Sequence, residues 1–196
     1  MSLAGGKAEL RQRVGHELAA ISTERRMLQS RQLRERLGGL KIWREARTIL
    51  AFAALADEPV LDELLAEAIA SGRQIALPRF DEATSGYQAV AVRDWSRDLV
   101  AAKFGVREPK PDGLVVPWKQ LDLVLVPGVA FDFRGARLGR GRGFYDRLLV
   151  DSAGHRCGVA FDVQIAEAVP EEVHDRRMNS ILTPTRWFET GVGGDD

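Results

Sequence analysis

The amino-acid sequence predicts an α/β fold: one open, mostly parallel sheet with helices on both faces, a Rossmann-like three-layer arrangement, preceded by an N-terminal helical pair. Three observations carry this. Short apolar runs bounded by turn residues alternate with stretches of helical spacing, and a strand, helix, strand unit opens the series. The run Leu121-Asp-Leu-Val-Leu-Val126 is nearly all apolar and is stopped by Pro127-Gly128, as expected of a strand buried on both faces. At 196 residues, 45% hydrophobic and 29% charged, the chain suits a single globular domain, residues 1–196, with a core and a ligand cleft beside it.

The elements follow in order. Residues 7–21 carry Leu10, Val14, Leu18 and Ile21 at spacings of three and four, the mark of an amphipathic helix. Ser22 or Thr23 caps a second helix with apolar positions Met27, Leu33, Leu37 and Leu40 and a stop at Gly38-Gly39. The two are expected to pack as a basic, antiparallel pair. Residues 48–54 read as a buried strand, followed by the loop Asp57-Glu58, a helix from Pro59 to about Ser71 and a strand over residues 74–77. A right-handed crossover would make those strands parallel. Residues 87–92 form a further strand, residues 108–117 a connecting loop and residues 143–150 a helix; strands over 157–161 and 180–182 complete the sheet.

Charge and cysteine usage narrow the partners. Lys plus Arg equals Asp plus Glu, 28 each; residues 7–47 hold 11 basic and 5 acidic side chains, leaving 17 and 23 elsewhere. A neutral chain with no nucleic-acid motif is a poor phosphate-backbone binder, so a compact anionic ligand is expected on the basic part, with no nucleic acid or membrane as partner. The single cysteine, Cys157, lies in an apolar run and reads as a core residue. With no internal disulfide and no apolar run suited to a signal peptide or membrane span, a cytoplasmic setting is expected; as a separate expectation, the chain acts as a monomer or weak homodimer.

The chemistry concentrates after the central strand. Gly135, Gly139, Gly141 and Gly143 are interleaved with Arg134, Arg137, Arg140, Arg142 and Arg147. Alternating glycines let successive N–H groups turn toward one concavity, and the following helix would add its positive end. The spacing matches neither the dinucleotide fingerprint nor the P-loop. Taken alone, the loop divides evenly between a phosphate site and a surface turn with solvated arginines; its place between a buried strand and a helix favours the site. Asp146, in the first turn of the helix, is either a solvent-facing acid near the helix dipole or a carboxylate for Mg²⁺.

The run Asp122-Leu-Val-Leu-Val-Pro-Gly-Val-Ala-Phe-Asp132, with Gly135 and Arg137-Leu-Gly-Arg-Gly-Arg-Gly-Phe-Tyr-Asp-Arg147, strongly resembles the signature of the 5-formyltetrahydrofolate cyclo-ligase family. Lys7-x-x-Leu-Arg11, Phe104-Gly-Val-Arg-Glu-Pro109 and Val169-Pro-x-Glu-x-His-Asp175 resemble its other landmarks in the same order. The resemblance implies use of Mg-ATP to convert 5-formyltetrahydrofolate to 5,10-methenyltetrahydrofolate, through phosphorylation of the formyl oxygen and attack by N10. It implies ATP contacts at Lys7, Arg11, Arg137, Leu138, Gly139, Arg140, Gly141, Arg142, Gly143, Phe144 and Tyr145. Folate contacts fall at Leu55, Glu58, Phe104 and the stretch from Arg140 to Phe144. Arg140, Arg142 and Tyr145 are the catalytic candidates, and Asp146 and Asp175 the Mg²⁺ ligands. The pattern departs from commoner members at Arg140, Arg142, Phe144, Phe104 and Asn179. Alternative readings are a sugar-phosphate isomerase on a related scaffold, which needs no ATP, and a non-catalytic nucleotide- or folate-binding protein.

Overall fold

A computed structural model of the chain describes residues 3–102, 105–141, 143–150, 152–173 and 175–192. Its strands are β1 (Thr48–Leu50), β2 (Gln74–Asp81), β3 (Gly86–Val92), β4 (Leu99–Ala101), β5 (Arg107–Pro109), β6 (Val115–Val116), β7 (Leu123–Pro127), β8 (Ala130–Phe131), β9 (Arg137–Leu138), β10 (His155–Val159), β11 (Ser180–Leu182) and β12 (Trp187–Glu189). Eight of them form one sheet in the order β12-β11-β10-β7-β1-β2-β3-β6. The run from β11 to β2 is parallel, and β12, β3 and β6 join it antiparallel at the flanks. The β4–β5 and β8–β9 hairpins stand apart from this sheet. Of these strands, β12 and both hairpins lie outside the sequence-level expectation; β5 and β6 fall in the stretch expected to be a loop.

Alternation along the strands builds two cores. Ile49, Ile75, Leu77, Leu123 and Leu125 point to one face, while Leu50, Ala76, Val124 and Val126 point to the other. The first face is covered by α1 (Leu3–Ala19), α2 (Thr23–Gly39), α3 (Lys41–Glu45) and α4 (Asp62–Ala70). Among the described α-helices, α5 (Phe144–Leu148) packs on the second, through Leu148 and the adjoining Leu149. Helices thus lie on both faces, but unequally. Cys157 is fully buried in the first core.

Both N-terminal helices are present, though they are not each other's main packing partners as an antiparallel pair would be, and their boundaries follow local chemistry. Ser22 caps α2 by accepting the Arg25 N–H at 3.2 Å, and Leu33 and Leu37 are fully buried. Met27, expected on the apolar face, is 68% exposed. The main partners of α1 are β8 and the short turn Asp162–Gln164. It meets α2 at a corner, where Arg26 donates to the carbonyls of Leu18 and Ile21 at 2.9 and 3.3 Å.

Two expected helices are shorter than the sequence suggests. α4 starts at Asp62, not Pro59. The backbone before it is held by tertiary partners: Ser30 accepts the Val60 N–H at 3.1 Å, and Arg34 donates to the Val60 carbonyl at 3.1 Å. α5 spans five residues, so its dipole contributes little beyond its own first turn.

These connections place a switch point. From β1 the chain crosses under α4 to β2 on one side; from β7 it crosses under α5 to β10 on the other. The loops leaving the carboxyl ends of β1 and β7 therefore diverge and leave a crevice between them. Asp122, ahead of β7, fixes the spacing by accepting the N–H groups of Arg47 and Thr48, both at 2.8 Å. Among the described residues, no helix is long and apolar enough to cross a membrane.

Candidate active site

The crevice is a cleft of about 1360 Å³. One wall is the chain after β1, with Phe52, Leu55 and Glu58; the other is the glycine-arginine loop from Arg137 to Tyr145. Lys7 and Arg11 enter from α1, and Asp175 from the loop before β11. A single-ligand pocket measures roughly 300–1,000 Å³, so this cleft has room for two reactants.

The loop is shaped by its glycines and by internal ion pairs. Gly141 and Gly143 adopt φ of +93° and +59°, a region that side chains disfavour. Gly139 is needed for space: a Cβ there would lie 2.9 Å from Nη1 of Arg137. The Arg137 side chain is 4% exposed; its guanidinium pairs with Asp146 at 2.8 Å and lies over the Tyr145 ring. Arg11 donates from Nε to the Gly139 carbonyl at 2.9 Å, which ties α1 to the loop. Lys7 pairs with Asp175 at 3.0 Å and with Glu172 at 3.1 Å. Despite a desolvation cost, these carboxylates hold its ammonium pKa above the ordinary value.

Arg140 reaches across the cleft. Its Nη2 donates to Asp57 at 2.6 Å and to Glu58 at 3.3 Å. Glu58 is 7% exposed, and its second oxygen accepts the Leu55 N–H at 3.0 Å. Burial raises its carboxyl above the usual range, opposed by the Leu55 N–H and by Arg140. Burial also pushes the Tyr145 phenol far up, with the Glu58 charge adding to it. At neutral pH that phenol is therefore a hydrogen-bond donor and not a base. Leu138 is buried in the floor, and Phe144 lines the cleft beside Tyr145, ring centroids 4.8 Å apart.

All the described sequence candidates thus meet in one cleft; Phe104 and Arg142 lie outside the described residues. A sequence model of the 5-formyltetrahydrofolate cyclo-ligase family matches residues 4–184. The chain belongs to this family. It is 34% identical to the 5-formyltetrahydrofolate cyclo-ligase of Mycolicibacterium smegmatis, over 92% of this chain and 94% of the relative. The enzyme of that name from Escherichia coli K12 is 31% identical over 74% of this chain and 81% of its own length. The solution structure of Aquifex aeolicus 5,10-methenyltetrahydrofolate synthetase superimposes with a TM-score of 0.85 at 29% identity, covering 95% of this chain and 94% of the other.

The cyclo-ligase fold brings further residues to the cleft that the sequence reading did not name. Phe80 and Tyr87 face each other across β2 and β3, and Tyr87 meets Phe144 with centroids 4.0 Å apart. Together with Tyr145 they make an aromatic wall. The alternation in residues 86–92 was a signal for it, but not for which face would meet the loop. Glu172 stood in the Val169-Pro-x-Glu-x-His-Asp175 landmark but was given no role, because its partner, Lys7, is distant in sequence.

The metal candidates are each paired with a basic side chain, Asp175 with Lys7 and Asp146 with Arg137. Asp146 is not a solvent-facing acid but the partner of buried Arg137. Among the described residues, no group of three or more His, Cys, Asp or Glu is poised to hold a metal ion. Asp146 and Asp175 do both line the cleft, and one or two carboxylates with phosphate oxygens and water are a suitable donor set for Mg²⁺. Asn179 lies elsewhere: it accepts the Arg156 N–H at 2.8 Å and donates to the Val192 carbonyl at 3.1 Å.

Proposed function

We propose that this chain catalyses the ATP-dependent cyclisation of 5-formyltetrahydrofolate to 5,10-methenyltetrahydrofolate, with release of ADP and phosphate. Family membership supports the reaction. The observation that carries the assignment to this cleft is that the glycine-arginine loop and the buried acid Glu58 face each other across the switch point.

The formyl oxygen attacks the terminal phosphorus of ATP and ADP departs. N10 then attacks the activated formyl carbon and loses its proton; the C–O bond to phosphate breaks, leaving the methenyl bridge. No nucleophilic side chain is needed, so the protein aligns two reactants and offsets charge. Lys7, Arg11 and the loop from Arg137 to Tyr145 hold the nucleotide. Arg140 and Arg142 meet the transferring phosphoryl group, and Tyr145 donates a hydrogen bond. Glu58 accepts two hydrogen bonds from the amino-pyrimidinone edge, with Leu55, Phe104 and Phe144 giving apolar contact. Asp146 and Asp175 are the residues that would hold Mg²⁺, which would neutralise phosphate charge when bound.

The chain acts on small molecules, the folate with or without a polyglutamate tail, as a monomer or weak homodimer in a reducing cytoplasm. Its one thiol, Cys157, suits that setting: it is fully buried, and burial pushes its pKa up to about 12. The test is to mix purified protein with 5-formyltetrahydrofolate and Mg-ATP and follow the absorbance of the methenyl product. Product that forms only with ATP supports the reading and excludes an isomerase. No product where both ligands bind would leave a non-catalytic binding protein.

A further inference from the structure

The Arg140 bridge competes with the contact that the proposed function requires of Glu58. Both oxygens of this carboxylate are engaged, Oε2 by the Leu55 N–H and Oε1 by Arg140. Each carboxylate oxygen can accept a second hydrogen bond, but at Oε1 a planar ligand edge has to share the acceptor and its charge with the guanidinium. Arg140 can leave. Its side chain is 47% exposed, its stronger contact is to the half-exposed Asp57 at 2.6 Å, and ion pairs of such exposure are weakly held. It also sits between Gly139 and Gly141, in the loop that meets the phosphates, and Gly141 is at φ +93°.

We infer that Arg140 is shared between two anions: it pairs with the folate acid, as in this structure, and is handed to the phosphoryl group when both substrates are bound. The inference rests on the proposed role of Glu58. Nucleotide phosphates draw the guanidinium off Glu58 and open the acid to folate. Folate donors displace it from Glu58 and present it to the phosphate. Each substrate therefore raises the affinity of the other, and by equal factors. A side chain that only stabilised the fold would leave the two affinities independent.

Calorimetric titration of 5-formyltetrahydrofolate, with and without Mg²⁺ and the β,γ-imido analogue of ATP, tests this near pH 8. In the native enzyme the analogue is expected to tighten folate binding by about 5- to 150-fold, the usual range for coupled sites. In Arg140→Met, folate binding without nucleotide is expected to rise toward the nucleotide-bound level and the coupling to vanish, with kcat reduced. Asp57→Asn, which loosens the bridge but keeps Arg140, is expected to tighten nucleotide-free folate binding as well. Unchanged or weaker nucleotide-free binding in both variants, or coupling that persists in Arg140→Met, would overturn the inference. Glu58→Gln separates the two levels: native folate affinity in that variant would remove the folate assignment itself.

Discussion

Glu58 sits in a place that disfavours its charged form. Burial outweighs the Leu55 N–H and Arg140, so the folded-state pKa lies above the ordinary carboxylate value. The folded protein then holds this proton more tightly than the unfolded chain does. The associated stability is full below the ordinary carboxylate range and is lost as pH rises through the raised folded value. Glu58→Gln keeps an oxygen for the Leu55 N–H and removes the buried charge. It is expected to melt higher than the native protein near neutrality, the gap closing as pH falls into the ordinary carboxylate range, while folate affinity drops. Melting curves at stepwise pH check this; a lower melting temperature at neutral pH would mean that the Arg140 bridge outweighs burial. Asp146 has a different role, in that a buried cation relies on it. Asp146→Asn leaves the guanidinium of Arg137, whose side chain is 4% exposed, without its counter-charge. Urea unfolding should register a loss of about 1–3 kcal/mol, alongside reduced turnover across a Mg²⁺ titration. A native midpoint with impaired turnover would confine Asp146 to the reaction.

At the scale of elements, the β8–β9 hairpin sets the loop's entry and leans on one buried acid. Asp132, fully buried, accepts the N–H groups of Arg134, Ala136 and Val169 at 2.9, 3.1 and 3.0 Å. Asp132→Asn turns one of those acceptors into a donor facing a donor, and is expected to lower stability by about 1–3 kcal/mol; urea titration measures it. The same hairpin brings Phe131 over glycines. A Cβ on Gly158 would lie 2.6 Å from its ring and one on Gly128 2.7 Å, so Gly158→Ala should cost about 1–3 kcal/mol through overpacking. Unchanged stability in that variant would show that the ring can move aside. Neither role was legible beforehand. Asp132 stood inside a recognised motif, but Val169 is 37 residues away and no local pattern pairs them. The length of α5 was also illegible, because apolar residues as far as Val150 extend the helical spacing past the turn at Leu149.

For the whole molecule, the cleft exists only when both halves of the sheet are assembled, since its walls leave β1 and β7. Each ligand at 100 times its dissociation constant should add about 2.7 kcal/mol to global stability and move one unfolding transition upward. Scanning calorimetry with the nucleotide analogue and folate checks this. A transition that splits, with only its upper part shifted, would show that α1 and α2 unfold apart from the sheet. By itself, the sequence determined the α/β class, the buried central strand, the glycine-arginine loop and the family, because alternation, turn residues and motif spacing are local and survive in a linear reading. The tertiary structure decided which charges meet: Lys7 with Asp175 across 168 residues, Arg11 with Gly139 across 128, and Arg140 with Glu58 across 82. It also decided that Asp146 serves a buried arginine and that Glu58 is desolvated. Ion pairing and burial depend on how the crossovers turn at the switch point, and that geometry is a property of the packed sheet, not of any stretch of chain.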